Sequence, residues 1–94
     1  MYLLRRTKKF EKSFKKISKG YNKTTLKKEV AVAIDILASG EKLSIKYRDH
    51  ALKGELKGYR ECHVRPDILL IYKIEHEELI LVLVDIGTHA SLFG

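Results

Sequence analysis

Apolar positions recur in three different rhythms along the chain. Phe10, Phe14 and Ile17 fall at i, i+4 and i+7, the spacing of one helix face, and Lys8, Lys9, Lys12, Lys15, Lys16 and Lys19 fill the positions between. Thr7 suits the N-cap of this helix, Gly20 its end, and Tyr21-Asn22 a turn. Leu26, Val30, Ala33, Ile34 and Leu37 stripe a second helix running from Thr24 or Thr25 to Ser39, where Gly40 stops it. Its β-branched centre would also suit a buried strand, but length and end signals favour a helix, and the two form an αα-hairpin. Before them, Tyr2-Leu3-Leu4-Arg5 reads as a short strand. After them, residues 41–52 have no period and read as a long loop. Residues 56–64 alternate as a strand with Leu56, Cys62 and Val64 on one face and Tyr59, Glu61 and His63 on the other. Arg60 falls on the apolar side, which suits a sheet edge where its stem can snorkel. Arg65-Pro66-Asp67 makes a turn. Residues 68–74 and 79–84 are almost wholly apolar, joined by His76-Glu77-Glu78, and predict an antiparallel hairpin in mid-sheet. Gly87 breaks the last strand and residues 88–94 read as a tail.

The expected architecture is α+β: an N-terminal strand, an αα-hairpin, then a three-stranded antiparallel sheet with the helices packed on one sheet face. Residues 1–94 read as a single domain, since 94 residues support only one core. No apolar run approaches the ~20 residues that cross a bilayer, so no membrane association is expected. The basic start leads into lysines rather than a signal-peptide apolar core. The single cysteine, Cys62, cannot staple the fold and fits a cytoplasmic protein. Net charge is +7, unevenly spread: residues 1–48 hold fourteen Lys/Arg against four Asp/Glu, and residues 49–94 hold five against eight. The first half therefore suits contact with a polyanion such as RNA, or with an acidic protein.

Titratable groups crowd between the helices and the hairpin. Asp49, His50, Arg60, Glu61, Cys62, His63, Arg65 and Asp67 lie within nineteen positions. Neighbouring strand residues point to opposite faces, so Cys62 and His63 would not share an ion. No CxxC, HxxH or HExxH spacing is present, so neither metal nor cofactor is expected. There is no glycine-rich phosphate loop and no Ser/His/Asp triad pattern. Taken singly, the histidines, Asp67 and Phe93 suit turns, surface or core. Taken together they suit a site.

The element order resembles the RelE/ParE toxin superfamily. Four local words, Tyr47-Arg48-Asp49-His50-Ala51-Leu52-Lys53-Gly54, then Lys57-Gly58-Tyr59-Arg60-Glu61-Cys62-His63-Val64-Arg65-Pro66-Asp67, then Leu70-Ile71-Tyr72, then Gly87-Thr88-His89-Ala90-Ser91-Leu92-Phe93, are similar to its YafQ-like branch. The resemblance implies a ribosome-dependent mRNA endoribonuclease, the toxin of a type II pair. It implies an acidic neutralising antitoxin as partner, with operator DNA reached only through that complex. Its functional positions fall on His50, His63, Asp67, His89 and Phe93. Where the family often carries an arginine, two residues before the last glycine word, this chain has Asp85, so any phosphate role there is lost or passes to another cation.

Metal-free RNA cleavage needs a base for the 2′-OH, an acid for the leaving 5′-oxygen and a cation for the charged transition state. Imidazole suits both proton transfers because it changes charge near neutral pH. His50 and His89 are expected to be the proton-transfer pair, with His63 and Asp67 orienting the RNA or the other rings; Asp67 could also accept a proton. Arg65, by parity with His63, is the expected exposed phosphate contact, with Arg60 second. Phe93 would stack on a base. A ParE-like gyrase-binding toxin, or a decayed toxin that only aids its antitoxin on operator DNA, is the alternative reading.

Overall fold

Thr7 and Asn22 decide where the helices begin. In the computed structural model, which describes residues 1–20 and 22–94, Thr7 Oγ1 accepts from the Phe10 amide at 3.0 Å and opens α1 (Lys8–Ile17). Asn22 Oδ1 accepts from the Thr25 amide at 3.0 Å and opens α2 (Lys23–Ala38). Such caps contribute about 1 kcal/mol each by satisfying amides that have no partner within the helix. Gly40, just past α2, takes the left-handed φ of +86° that only glycine adopts without cost. Tyr21 lies outside the described residues, so the expected Tyr21-Asn22 turn is represented only by Asn22.

The sheet is larger than expected. It has five strands in the order β1-β5-β4-β3-β2: β1 (Leu3–Arg6), β2 (His50–Ala51), β3 (Arg60–Arg65), β4 (Ile68–Glu75) and β5 (Ile80–Gly87). β1 pairs in parallel with β5, and the other pairs are antiparallel, so the sheet is mixed. The additions beyond the expected three strands are β1, whose partner is the far end of the chain, and β2, whose two residues are too few to show alternation. The expected 56–64 strand starts only at Arg60, because Gly54–Leu56 coils into a 3₁₀ turn with Gly54 at φ +67°. Residues 41–52 hold a second such turn, Ile45–Tyr47, as well as β2. The expected tail is instead a short helix, α3 (His89–Phe93), capped by the Thr88 hydroxyl, which accepts from the Ser91 amide at 3.1 Å.

Both helices cover one sheet face, as the apolar rhythms required. Phe10 of α1 and Leu26, Val30, Ala33, Ile34 and Leu37 of α2 are buried against Cys62, Ile68, Leu70, Tyr72, Leu81, Leu83 and Ile86. Burying one such side chain is worth about 1.5–3 kcal/mol, so this layer holds the fold together against chain entropy. α1 is also pinned at its start. The Thr7 amide donates to the Leu83 carbonyl at 3.1 Å, and its hydroxyl to the Val84 carbonyl at 2.8 Å. Val84 stands at an irregularity where β5 carries one residue more than β4, between the pairs Ile71–Asp85 and Tyr72–Leu83. Among the described residues no helix is long and apolar enough to cross a membrane.

Candidate active site

Directly paired strand residues share a face, so register decides which side chains meet. Across the uncovered face runs the row His50, Glu61, Ile71 and Asp85, one residue from each of β2, β3, β4 and β5. Beside it runs the row His63, Leu69 and Gly87. β3 therefore divides as its alternation predicted: Cys62 enters the core, while Glu61 and His63 face away from the helices.

The first row and His63 form a compact constellation around one carboxylate. Glu61 is buried, and its Oε1 lies 3.7 Å from His50 Nε2 and 3.6 Å from His63 Nε2. The other nitrogen of each ring is held by a backbone carbonyl, which can only accept. His50 Nδ1 donates to Arg48 O at 2.8 Å and His63 Nδ1 to Pro66 O at 3.3 Å. Each tautomer is thereby set with Nε2 as the nitrogen that exchanges a proton, turned toward Glu61. Arg48 reaches this geometry in the left-handed region, φ +50°, an uncommon conformation for a non-glycine residue. The His50 side chain is 54% exposed and that of His63 only 18%, so the first is open to a substrate and the second is shielded.

Asp49 anchors the loop that carries His50. Its Oδ2 accepts from the Tyr72 hydroxyl at 2.7 Å and its Oδ1 from Arg60 Nε at 3.1 Å. Burial, then the hydrogen bond to Asp49, raises the Tyr72 phenol well above its ordinary range. Burial alone would lower the Arg60 guanidinium, but its hydrogen bonds with Tyr72 and Asp49 and the Asp49 charge outweigh that and raise it. Sequence reasoning took Asp49 for a turn or cap residue. It is instead the bridge between core and loop.

The remaining expected residues are placed as follows. Asp67 is exposed in the turn between β3 and β4, and His89 and Phe93 lie on α3, just beyond Gly87. The pairing of Leu69 with Gly87 brings that turn and α3 to the same end of the sheet. The His89 and Phe93 rings lie 5.1 Å apart, tilted by 50°. Gly87 permits this packing, since a Cβ there would collide with Ser91 Oγ. His76 instead lies edge-on to Tyr2 in the far hairpin turn, away from the constellation.

Two expectations about arginine are corrected. The parity linking Arg65 to His63 fails, because the β3–β4 register shifts between the two residues. Arg65 reaches Glu29 of α2, with Nε 2.6 Å and Nη2 2.5 Å from Oε1, and is the less exposed arginine, 21% against 43% for Arg60. Arg60 is in turn engaged by Asp49. Sequence reasoning also passed over Glu61 as a site residue, although the same alternation that placed His63 on the polar face put Glu61 beside it.

Comparison with known proteins adds a second line of observation. Residues 2–94 match the family model described as the bacterial toxin of type II toxin-antitoxin system, YafQ. The mRNA interferase toxin YafQ of Escherichia coli K12 is 52% identical over 48 residues, 51% of this chain and 50% of that protein. The chain thus spans about half the length of the curated relatives it matches. Over the whole fold, the crystal structure of a metal-bound toxin from Helicobacter pylori superposes with a TM-score of 0.87 at 41% identity, covering 99% of this chain and 100% of that one. The E. coli DinJ–YafQ complex superposes with a TM-score of 0.85 at 32% identity, covering 100% of both chains. For a metal in this chain the donor spacing does not fit. Among the described residues no group of three or more His, Cys, Asp or Glu side chains is placed to hold an ion.

Proposed function

From the premise that the chain belongs to the YafQ family of bacterial type II toxins, we propose that it is an endoribonuclease that cuts messenger RNA in the ribosomal decoding centre and so arrests translation. The observation that carries this reading is the pair of imidazoles, His50 and His63, turned by their backbone hydrogen bonds onto the one buried carboxylate of Glu61. A surface that only binds has no use for that arrangement. A proton-transfer site does.

His50, the more open ring, exchanges a proton at Nε2 with the message. His89 serves the other oxygen from α3, at the same end of the sheet. One of the two takes the proton of the 2′-OH as it attacks the adjacent phosphorus, and the other protonates the departing 5′-oxygen. The products are a 2′,3′-cyclic phosphate and a 5′-OH. Glu61 and His63 hold the first ring in place, Asp67 orients the RNA at the β3–β4 turn, and Phe93 stacks on a base, a contact worth about 1–3 kcal/mol. The lysines of α1 and α2 dock on ribosomal RNA phosphates. A cytoplasmic, acidic antitoxin of the kind DinJ represents for E. coli YafQ neutralises the protein, and operator DNA is met only through that complex.

The test is sequencing of RNA ends in a translating extract. Wild-type protein is expected to leave 5′-OH ends within open reading frames, and only when ribosomes are engaged. Alanine at His50, His63 or His89 is expected to suppress the cuts and relieve growth arrest while antitoxin capture persists. Full toxicity of all three single variants would refute the assignment.

A further inference from the structure

The face that carries the imidazoles holds two buried carboxylates, Glu61 and Asp85, flanking Ile71 in one row. A surface that receives RNA cannot leave such charges bare, because they would repel the phosphates. Glu61 is matched by His50 and His63. Asp85 is matched differently. Its Oδ1 accepts from the Ile86 amide at 2.9 Å, and its Oδ2 faces Lys9 Nζ of α1 at 3.7 Å.

Lys9 differs from the other cations near the site. Arg60 is engaged by Asp49, Arg65 by Glu29 and Lys73 by Glu75. The side chains of these three are 21–43% exposed, whereas that of Lys9 is 75% exposed. Its ammonium therefore stands on the imidazole face, anchored on one side and open on the other. Its position is also fixed from below. The Thr7 hydroxyl and amide rivet the first turn of α1 to Leu83 and Val84, next to Asp85, so Lys9 cannot swing away with a loose helix end.

We propose that Lys9 is the cation that neutralises the RNA phosphate at the cleavage site, and that Asp85 is its positioning residue. This rests on the nuclease reading above. Charge on the attacked phosphate rises in the transition state, and a fixed ammonium in reach stabilises that state more than the ground state. Asp85 holds the ammonium over the row without covering it.

The test is single-turnover cleavage of a defined message on programmed ribosomes by wild type, Lys9→Gln, Lys9→Arg and Asp85→Asn, with thermal unfolding of each. Lys9→Gln is expected to lower kcat by about a hundredfold with little change in KM or Tm, in line with the loss of one transition-state donor. Lys9→Arg keeps the charge and is expected to stay within about tenfold of wild type. Asp85→Asn, which can still accept from the Ile86 amide, is expected to fall between them. A Lys9→Gln rate within about threefold of wild type, or a loss that Lys9→Arg does not recover, overturns the assignment of Lys9. If the wild-type protein itself leaves the message intact, the nuclease reading falls and this inference with it.

Discussion

Replacing Asp49 by alanine tests whether the loop that presents His50 is tied to the core through a single carboxylate. The Tyr72 hydroxyl is buried and donates to Asp49 at 2.7 Å, so its loss of partner costs about 1–3 kcal/mol. The Arg60 pair adds less, about 0.5 kcal/mol, since that side chain is 43% exposed and water screens it. We expect Asp49→Ala to lose about 2–3 kcal/mol, a large part of the ~5–15 kcal/mol of a typical domain. Tyr72→Phe removes the donor but leaves Asp49 its Arg60 partner, and should cost about 1–2 kcal/mol. The double variant should be less destabilised than the sum of the two, with a coupling of about 1–2 kcal/mol. Urea unfolding reads all three, provided the m-values agree. A loss below about 0.5 kcal/mol for Asp49→Ala, or strictly additive variants, would refute the reasoning.

Burial, and then the charges of Asp49 and Glu61, push the Cys62 thiol up to about 12 from its ordinary 9.0. The unfolded chain therefore releases this proton first, so the stabilisation is complete below pH 9 and is lost as pH rises toward 12, by about 1.4 kcal/mol per pH unit. Tyr72 is shifted in the same direction, and urea titrations across that window should show the decline, reduced in Cys62→Ala. Below pH 9 a thiol reagent should modify Cys62 only at the rate of unfolding, and immediate labelling of the native protein would contradict its burial. Gly87→Ala should displace α3 through Ser91, lowering cleavage with little change in Tm. Gly87→Ala with Ser91→Gly should recover much of the activity if that collision is the cause. Cleavage should survive EDTA as long as the ribosomes stay intact; loss restored by a divalent ion would show that the imidazoles do not suffice.

Much of this could be read from residue types. The helices were legible because Thr7, Asn22 and Gly40 are punctuation with a physical cause, and because the apolar stripes are long. The β4–β5 hairpin was legible for the same reason. The short elements were not. β2 is made by pairing with β3 and has no pattern of its own, and α3 is a single capped turn. Alternation placed His63 correctly but failed at Arg65, since a register shift leaves no mark in composition. The site was legible as a crowd of residues and not as a geometry. The meeting of His50 and His63 depends on the β2–β3 register, and Lys9 reaches the same face only because Thr7 fastens α1 to β5.

The parallel strand β1 has its neighbour, β5, at the opposite end of the polypeptide. During synthesis the first strand must wait for the last, and until β5 emerges the central position of the sheet is vacant. His50 and His63 can form early on β2 and β3, but α3 and the seat of α1 beside Asp85 come only with the final residues. A partly made chain is thus an unfinished tool. The fold delays its own competence until translation of its message is nearly over.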